Sequence, residues 1–498
     1  SSGLAAWLVG QDIGRGSRVA LLLQNTPHFM IAMLGIWKIG AIPVPCNPMY
    51  RAPELADLFA DFSPAAVICH GDLAEVVTDA LAFAGLRAAL AVANPRDWQR
   101  TNDERVLPGL RSSPTPAAGS DFIALCLAGE GAVRIADLYP DDTGLILYTS
   151  GTTGKPKGAV LNHASIVFNS EACARWMGLG STSRILALAP LFHITGLILH
   201  MGIAIAAGCS IGLNYRFHPE VALGMVRTYR PTFTIAAITA FNALMGLSDV
   251  GPADFKCFEA VYTGGAPVAP ALRDQVRRGL GIDLLPAYGM TESCAPTHLA
   301  PRGREPPVDN LTGALAVGLP ITSTDARICG PAGETLSPGE AGEIWMRGPQ
   351  VMTGYWNNPA ETAETLVDGW LRSGDVGIMD AEGWFYVVDR QKDMINASGF
   401  KVWPRQVEDV LLAHPAVREA AVVGEPDAYR GETVRAYISV RESGPTPTCD
   451  DLVAFCRARL AAYKVPRRIT ILDELPKTIT GKIQRSRLRT DQPDQGGD

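Results

Sequence analysis

Tyr148–Gly158 reads YTSGTTGKPKG, a run of small and hydroxyl residues closed by two lysines and entered from the apolar run Gly144-Leu145-Ile146-Leu147. An apolar run ending in a glycine-rich loop predicts a β-strand that delivers a turn at the edge of a sheet. Gly151 and Gly154 let the backbone approach a ligand closely and aim N–H groups at it. Thr149, Ser150, Thr152 and Thr153 add hydroxyl donors, and Lys155 and Lys157 add positive charge. The combination suits a polyanion, and the phosphates of a nucleotide fit best. It is not the common P-loop, which needs two glycines separated by four residues and then Lys and Ser/Thr. Here Gly151 and Gly154 are separated by two residues and Lys155 precedes Pro156. A Gly/Ser/Thr linker is the bland alternative, but a linker seldom carries two lysines and a proline directly behind a strand.

The 498 residues around this stretch are too many for one compact core, so two or more domains are expected. Hydrophobic residues at 47% and charged residues at 19% describe a folded globular chain, not a disordered one. A net charge of −7 argues against nucleic acid as a main partner. The ten cysteines show no CxxC pair and no His-Cys cluster, which favours free thiols in a reducing cytoplasm. The chain opens Ser1-Ser2-Gly3 without Met or a basic-then-apolar leader, so no signal peptide is expected and a natural N-terminal segment is expected to be missing. From Ile185 to Tyr215 there is no Lys, Arg, Asp or Glu, yet Pro190, His193, His200 and Asn214 interrupt the run. A buried helix and strand fit it better than a membrane span.

Strand and helix alternate along the first part of the chain. Arg18–Gln24 reads as a buried strand, Pro27 opens a helical pattern ended by Gly40, and Ile42–Pro45 and Ala65–Cys69 read as further strands. A second alternating block runs from Ile185 to about Glu292. It has strand-like Ile185–Leu188, Thr232–Ala236 and Ala260–Tyr262, helix-like Pro219–Tyr229 and Pro270–Arg278, and Leu284-Leu285 leading into Ala287–Glu292. Two of these strand ends deliver Gly-containing loops, Gly264-Gly265-Ala266-Pro267 and Ala287-Tyr288-Gly289-Met290-Thr291-Glu292. The alternation predicts parallel α/β sheets, and loops at the carboxyl ends of such strands form the ligand crevice. From Gly313 to Asp389 the texture turns Gly/Pro-rich with short β-type runs, predicting a small antiparallel sheet or barrel. After a boundary near Lys392 comes a compact α+β pattern, and the tail beyond Arg489 reads as disordered.

Several of these residues carry chemistry on local grounds. In Tyr288–Glu292 an aromatic next to Gly can stack on a base, Thr can donate to a phosphate and Glu can hold magnesium, which favours few carboxylates and substrate phosphates. A turn with a core tyrosine is the structural alternative. Asp375 in Ser373-Gly374-Asp375 has the look of a turn aspartate bonding its own backbone. Arg390 and Lys482 read locally as solvated surface cations, and His193 as a satisfied core histidine.

Taken together, YTSGTTGKPKG, the PLFH…G segment at Pro190–Gly196, Tyr288–Glu292 (YGMTE), Ser373-Gly374-Asp375, Asp389-Arg390-Gln391-Lys392-Asp393 and Pro476–Lys482 (PKTITGK) resemble, in this order and over nearly all of the chain, the adenylate-forming superfamily. That family comprises acyl- and aryl-CoA synthetases, luciferases and peptide-synthetase adenylation domains. The resemblance implies a large N-terminal domain over residues 1–390, with two parallel αβα layers and a small β-barrel-like subdomain. A small mobile α+β domain over 391–498, hinged at Lys392, completes it. It implies ATP or AMP contacts from Thr149–Lys155, Lys157, Gly264–Pro267 and Ala287–Thr291, ribose contacts from Asp375 and Arg390, and magnesium at Glu292. Lys482 is implied to bind the substrate carboxylate and the α-phosphate region, and His193 to shape the acyl site. Ser398, Gly399, Phe400 and Lys401 are implied to line the channel for coenzyme A. Two departures stand out: Gln406 where relatives often have Glu, and Asn396 where some have a Lys that assists the second half-reaction.

The expected activity is ATP-dependent conversion of a carboxylic acid to acyl-AMP, then to acyl-CoA. The segments expected to line the pocket, Thr234–Ile238 with Ala236, Ala237 and Ile238, and Tyr262–Ala266 with Gly264 and Gly265, contain no Arg or Lys for a second carboxylate and no Asp for an amino group. An apolar monocarboxylate, closest to the substrates of bacterial medium- and long-chain fatty acyl-CoA ligases, is expected. An aryl acid, transfer to a carrier protein, and an inactive nucleotide-binding scaffold are the alternatives. The reading leaves room for peripheral membrane contact and for a homodimer.

Overall fold

The computed structural model describes residues 1–107, 119–128, 133–149, 156–310, 312–390, 393–397, 400–427, 431–441, 446–478 and 481–490. Prolines set where several helices begin. Pro27, Pro219, Pro270, Pro359 and Pro404 each occupy the first position of a helix, where the missing N–H has no partner to lose and φ is already helical.

The first sheet is wholly parallel, with strands ordered Ile42–Pro45, Arg18–Leu22, Ala66–His70, Ala89–Ala93 and Ser120–Asp121. Its central strands are buried residue after residue, as expected when helices cover both faces. The second sheet begins as five parallel strands, in the order Ser210–Leu213, Arg184–Ala187, Phe233–Ala236, Ala260–Thr263 and Leu284–Met290. It then continues antiparallel through Ala295–Leu299, Ala316–Pro320, Phe385–Arg390, Trp370–Met379, Gly342–Arg347 and Asp325–Cys329. The Gly/Pro-rich segment is therefore antiparallel, and all of its longer strands extend the second parallel sheet. A third sheet joins Thr143–Thr149, Lys157–Asn162 and Gly354–Tyr355, all antiparallel.

The small C-terminal domain has its own sheet, Phe400–Val402, Ile395–Ala397, Gly431–Val440 and Val417–Asp427, with Arg468–Ile471 added parallel to Gly431–Val440. The helices Pro404–Leu412 and Cys449–Arg457 bury Val407, Leu411, Leu452 and Cys456 in a core separate from those of the large domain.

Most of the charge-free run is buried, as expected, with Ile205, Ala206, Gly208 and Ser210 exposed. It forms the strand Arg184–Ala187 and then helix over Ile194–Ala207, of which Leu197–Gly202 is wound as a π-helix. No helix among the described residues is long and apolar enough to cross a membrane. Two local expectations are corrected. Ala287–Met290 is strand and not loop: Ala287 pairs with Leu299 and Tyr288 with His298. Gly289 allows that pairing, because a Cβ there would lie 2.0 Å from the Ala295 carbonyl oxygen. Asp375 lies within the strand Trp370–Met379, paired with Arg390, and the turn-like look of its neighbourhood comes from Gly374 at φ +70.

Candidate functional site

The described ends of the hydroxyl-rich stretch lie on two paired antiparallel strands. Tyr148 pairs with Gly158 and Thr149 with Lys157, and the Thr149 hydroxyl donates to the Lys157 carbonyl at 3.4 Å. Ser150, Gly151, Thr152, Thr153, Gly154 and Lys155 lie outside the described residues. Lys157 pairs with Glu361, and its Nζ lies 5.5 Å from the centre of the Tyr355 ring. The Tyr355 hydroxyl in turn donates to Glu292 Oε1 at 2.8 Å. This strand pair and the acidic turn Thr291–Ser293 are thus joined through one aromatic side chain. Burial, and then the Glu292 charge, push the Tyr355 hydroxyl well above the ordinary phenol range, so it stays a donor.

Behind Glu292, the strand Leu284–Met290 brings Tyr288 to Asp375. The Tyr288 hydroxyl donates to Asp375 Oδ2 at 2.8 Å, and Arg390 Nε lies 3.4 Å from Asp375 Oδ1. Asp375 is only 8% exposed, so its carboxylate is held by groups facing the cleft rather than by bulk water. The loop Gly264–Pro267 leaves the neighbouring strand. A Cβ at Gly264 would come within 3.0 Å of the Ala287 carbonyl, so glycine lets the two strand ends close on each other. Gly265 has φ +84, a left-handed conformation that glycine takes without strain.

Lys482 arrives from the other domain. A Cβ at Gly265 would lie 3.1 Å from Lys482 Cε and 3.9 Å from Nζ. The adjacent Gly481, at φ +80, is pressed against the large domain: a Cβ there would meet Thr239 Oγ1 at 2.2 Å and Ala237 Cβ at 3.7 Å. Burial lowers the Lys482 pKa, the Arg390 charge lowers it further, and Asp375 and Glu292 oppose both. His193 caps the first turn of Ile194–Gly196 through Nδ1, which accepts from Thr195 N at 3.3 Å. Burial first, then the Lys482 charge, hold its pKa down at about 3, so it is neutral at physiological pH.

The expected residues Glu292, Tyr288, Asp375, Arg390, Gly264, Gly265, His193 and Lys482 therefore converge on one cleft, with Ala236, Ala237 and Ile238 at the end of an adjacent strand. Lys157 is drawn to Glu361. Lys392, Ser398 and Gly399 lie outside the described residues, and the backbone of Phe400 and Lys401 is in the strand Phe400–Val402. Two positions went unread in the sequence: Tyr355, which bridges the halves of the site, and Thr239, which receives Gly481. The only cue for Tyr355 is its place in Gly354-Tyr355-Trp356, an aromatic pair behind a glycine at φ +154.

Among the described residues no group of three or more His, Cys, Asp or Glu could hold a metal ion. Glu292 stands beside the Tyr355 hydroxyl, while the other cleft carboxylate, Asp375, is taken up by Tyr288 and Arg390. That donor set suits magnesium arriving with nucleotide phosphates, which supply most of its ligands.

Residues 1–356 match the model of the AMP-binding enzyme family, and residues 406–482 that of the AMP-binding enzyme C-terminal domain. A long-chain-fatty-acid–CoA ligase of Bacillus subtilis (strain 168) is 35% identical over 97% of this chain and 87% of its own length. A feruloyl-CoA synthase of an Amycolatopsis species is also 35% identical, over 98% of this chain and 91% of its own. Among solved structures, ATP-bound MatB from Rhodopseudomonas palustris is similar with a TM-score of 0.86 at 26% identity, covering 98% of this chain and 91% of that one.

Proposed function

Because the chain belongs to the AMP-binding enzyme family, we propose that it is an AMP-forming acid–thiol ligase that activates an apolar monocarboxylic acid with ATP and transfers the acyl group to coenzyme A. The observation that carries this reading is Lys482 against Gly265, in the field of Arg390, Asp375 and Glu292.

A carboxylate is a poor acyl donor, since its leaving group would be oxide. In the first step a carboxylate oxygen attacks the α-phosphorus of ATP, the bond to the β-phosphate bridging oxygen breaks, and pyrophosphate leaves. The product is a mixed anhydride with AMP as leaving group. Glu292 would hold magnesium arriving with the phosphates, and that ion would supply neutralisation of phosphate charge. Lys482 places a fixed cation where the substrate carboxylate and the α-phosphate, two anions, must meet. Asp375 and Arg390 hold the ribose. Neutral His193 forms part of the wall of the acyl site. In the second step the thiol of coenzyme A attacks the acyl carbon, its proton is lost to solvent, and AMP leaves. The small domain, 391–498, turns about Lys392 between the two steps, withdrawing Lys482 and admitting the thiol past the segment 398–401.

The substrate is a fatty acid on this reading. The similarity to a long-chain-fatty-acid–CoA ligase and the absence of Arg, Lys or Asp from Thr234–Ile238 and Tyr262–Ala266 support an unsubstituted apolar tail. The equal identity to a feruloyl-CoA synthase favours an aryl acid as the second reading. Pyrophosphate release measured with a panel of acids separates the two: rates should be higher with C8–C16 acids than with cinnamate or benzoate, and the reverse order replaces the first reading with the second. Omitting coenzyme A should stop turnover after one equivalent of acyl-AMP. Turnover that requires a carrier protein instead would identify the acceptor as protein-borne.

A further inference from the structure

The turn that carries Lys482 is fastened on both flanks. Upstream, Lys477 Nζ lies 2.7 Å from Glu419 Oε1, and the Ser439 hydroxyl donates to Glu419 Oε2 at 3.0 Å. Both partners belong to the small domain. Downstream, the Arg485 guanidinium is spread over three carboxylates. Its Nη2 donates to Glu408 at 2.7 and 2.8 Å, and its Nη1 to Asp389 Oδ1 and Asp393 Oδ2 at 3.2 Å each. The side chains of Asp389 and Glu408 are 3% and 8% exposed, so neither has water as a substitute partner.

These three carboxylates sit at different places relative to position 392. Glu408 lies in the small-domain helix Pro404–Leu412 and accepts from Val422 N at 2.8 Å. Asp393 directly follows position 392 and also pairs with Arg489 at 2.9 Å. Asp389 lies upstream, on the large-domain strand Phe385–Arg390. It accepts from Arg390 N at 2.8 Å and from Arg405 N at 2.9 Å. Any turn of the small domain about position 392 carries Arg485, Glu408 and Arg405 together and leaves Asp389 behind.

We infer that Arg485 is a positioning residue for the acid-activating step, and that its bond to Asp389 latches the Lys482 turn onto the large domain. This rests on the two-step reading above. In the latched arrangement Asp389 has the Arg485 guanidinium and the Arg405 N–H from across the pivot. Leaving it strips a buried carboxylate of both, which costs free energy and holds the small domain where Lys482 reaches the cleft. The Arg485–Glu408 pair travels with the small domain and acts in neither direction.

Asp389→Asn tests the latch, since it removes the charge while keeping size and one acceptor. The rate of pyrophosphate release dependent on acid and ATP should fall about tenfold or more in kcat, with KM for ATP little changed, because the partners of Asp389 are Arg485 and the backbone N–H groups of Arg390 and Arg405 and the proposed nucleotide contacts do not include it. Thioester formation from supplied acyl-adenylate should be unchanged or faster. Arg485→Lys keeps a cation but cannot bridge all three carboxylates, so it should shift the two half-reactions in the same unequal way; it serves if Asp389→Asn does not fold. Glu408→Gln should lower thermal stability and affect the two half-reactions alike. Equal loss of both half-reactions in Asp389→Asn and Arg485→Lys, retention of both, or a rise in KM for ATP at unchanged kcat would overturn the latch. Wild-type protein that releases no pyrophosphate with any acid would instead overturn the two-step reading itself.

Discussion

Lys482 is an ammonium that the fold delivers from the far end of the chain into a cleft already holding one cation, Arg390, and two carboxylates, Asp375 and Glu292. Replacing Lys482 with Ala should lower acyl-AMP formation about 10²–10³-fold, as loss of one preorganised charge commonly does, and largely spare thioester formation from supplied acyl-adenylate. Its pKa lies below that of a solvent lysine, so its charge is present at low pH and is lost earlier as pH rises. Acyl-AMP formation should therefore decline on the alkaline side before the thioester half-reaction does, which parallel pH profiles would detect. Tyr355 makes a smaller contribution. Tyr355→Phe removes the hydroxyl from Glu292 and leaves that carboxylate one donor short, a change of about 1 kcal/mol, or roughly fivefold in KM for Mg–ATP. At this scale the sequence was legible where residue types cluster by chemistry, as in Tyr288–Glu292 and Pro476–Lys482. It was silent on Tyr355, because a lone tyrosine carries no local sign of what its hydroxyl will meet some sixty positions upstream.

The strand Leu284–Met290 and its partner Ala295–Leu299 set the spacing of the site. Tyr288 projects from one of them to Asp375, and Glu292 follows at the turn between them. Gly289 is where their backbones touch, so Gly289→Ala forces a Cβ into the Ala295 carbonyl and must part the two strands. Loss of more than about 2 kcal/mol of stability is expected, with a lower Tm and weakened ATP binding measured by calorimetry. Proline-led helices and fully apolar strands were readable because their signals are local: Pro219–Tyr229 and Ile42–Pro45 have the same limits in sequence and in structure. Ala287–Met290 was misread as a loop because glycine, a turn signal on its own, was here required by a neighbouring strand. Asp375 was misread for the same reason: Gly374 marks a local twist in a long strand whose partner, Phe385–Arg390, could not be identified from adjacent residues.

Two large sheets, a third sheet and a small domain make up the molecule, and their cores bury several histidines. His70, His200 and His298 are each pushed down to about 3 by burial, against 6.5 in an unfolded chain. Because the folded state resists the proton that the unfolded state accepts, their contribution to stability is complete above pH 6.5 and is lost as pH falls towards 3. Each adds up to about 1.4 kcal/mol per pH unit in that window, so thermal unfolding followed from pH 7.5 to pH 5 should show Tm dropping on the acid side, and replacing His298 with Gln should flatten the drop. Domain organisation was legible in outline, since the change of texture after Asp389 and the compact α+β pattern beyond it are compositional. The continuity of the parallel and antiparallel strands in one sheet was not, because which strand edge pairs with which is decided by contacts remote along the chain.

Among the described residues, the strands Thr143–Thr149 and Lys157–Asn162 pair in a sheet with each other and with Gly354–Tyr355 and with no strand of the two large sheets, so the span from Thr149 to Lys157 is anchored at two posts independent of the registers of both large sheets. On the proposed reading, a segment of another length grafted between those posts would ask nothing of the acid site, which that reading assigns to the ends of Phe233–Ala236 and Ala260–Thr263. If residues 150–155 hold the triphosphate as proposed, that grip and the choice of acid can be retuned as two separate traits, and a laboratory chimera exchanging 150–155 alone should keep its acid preference while its ATP affinity moves.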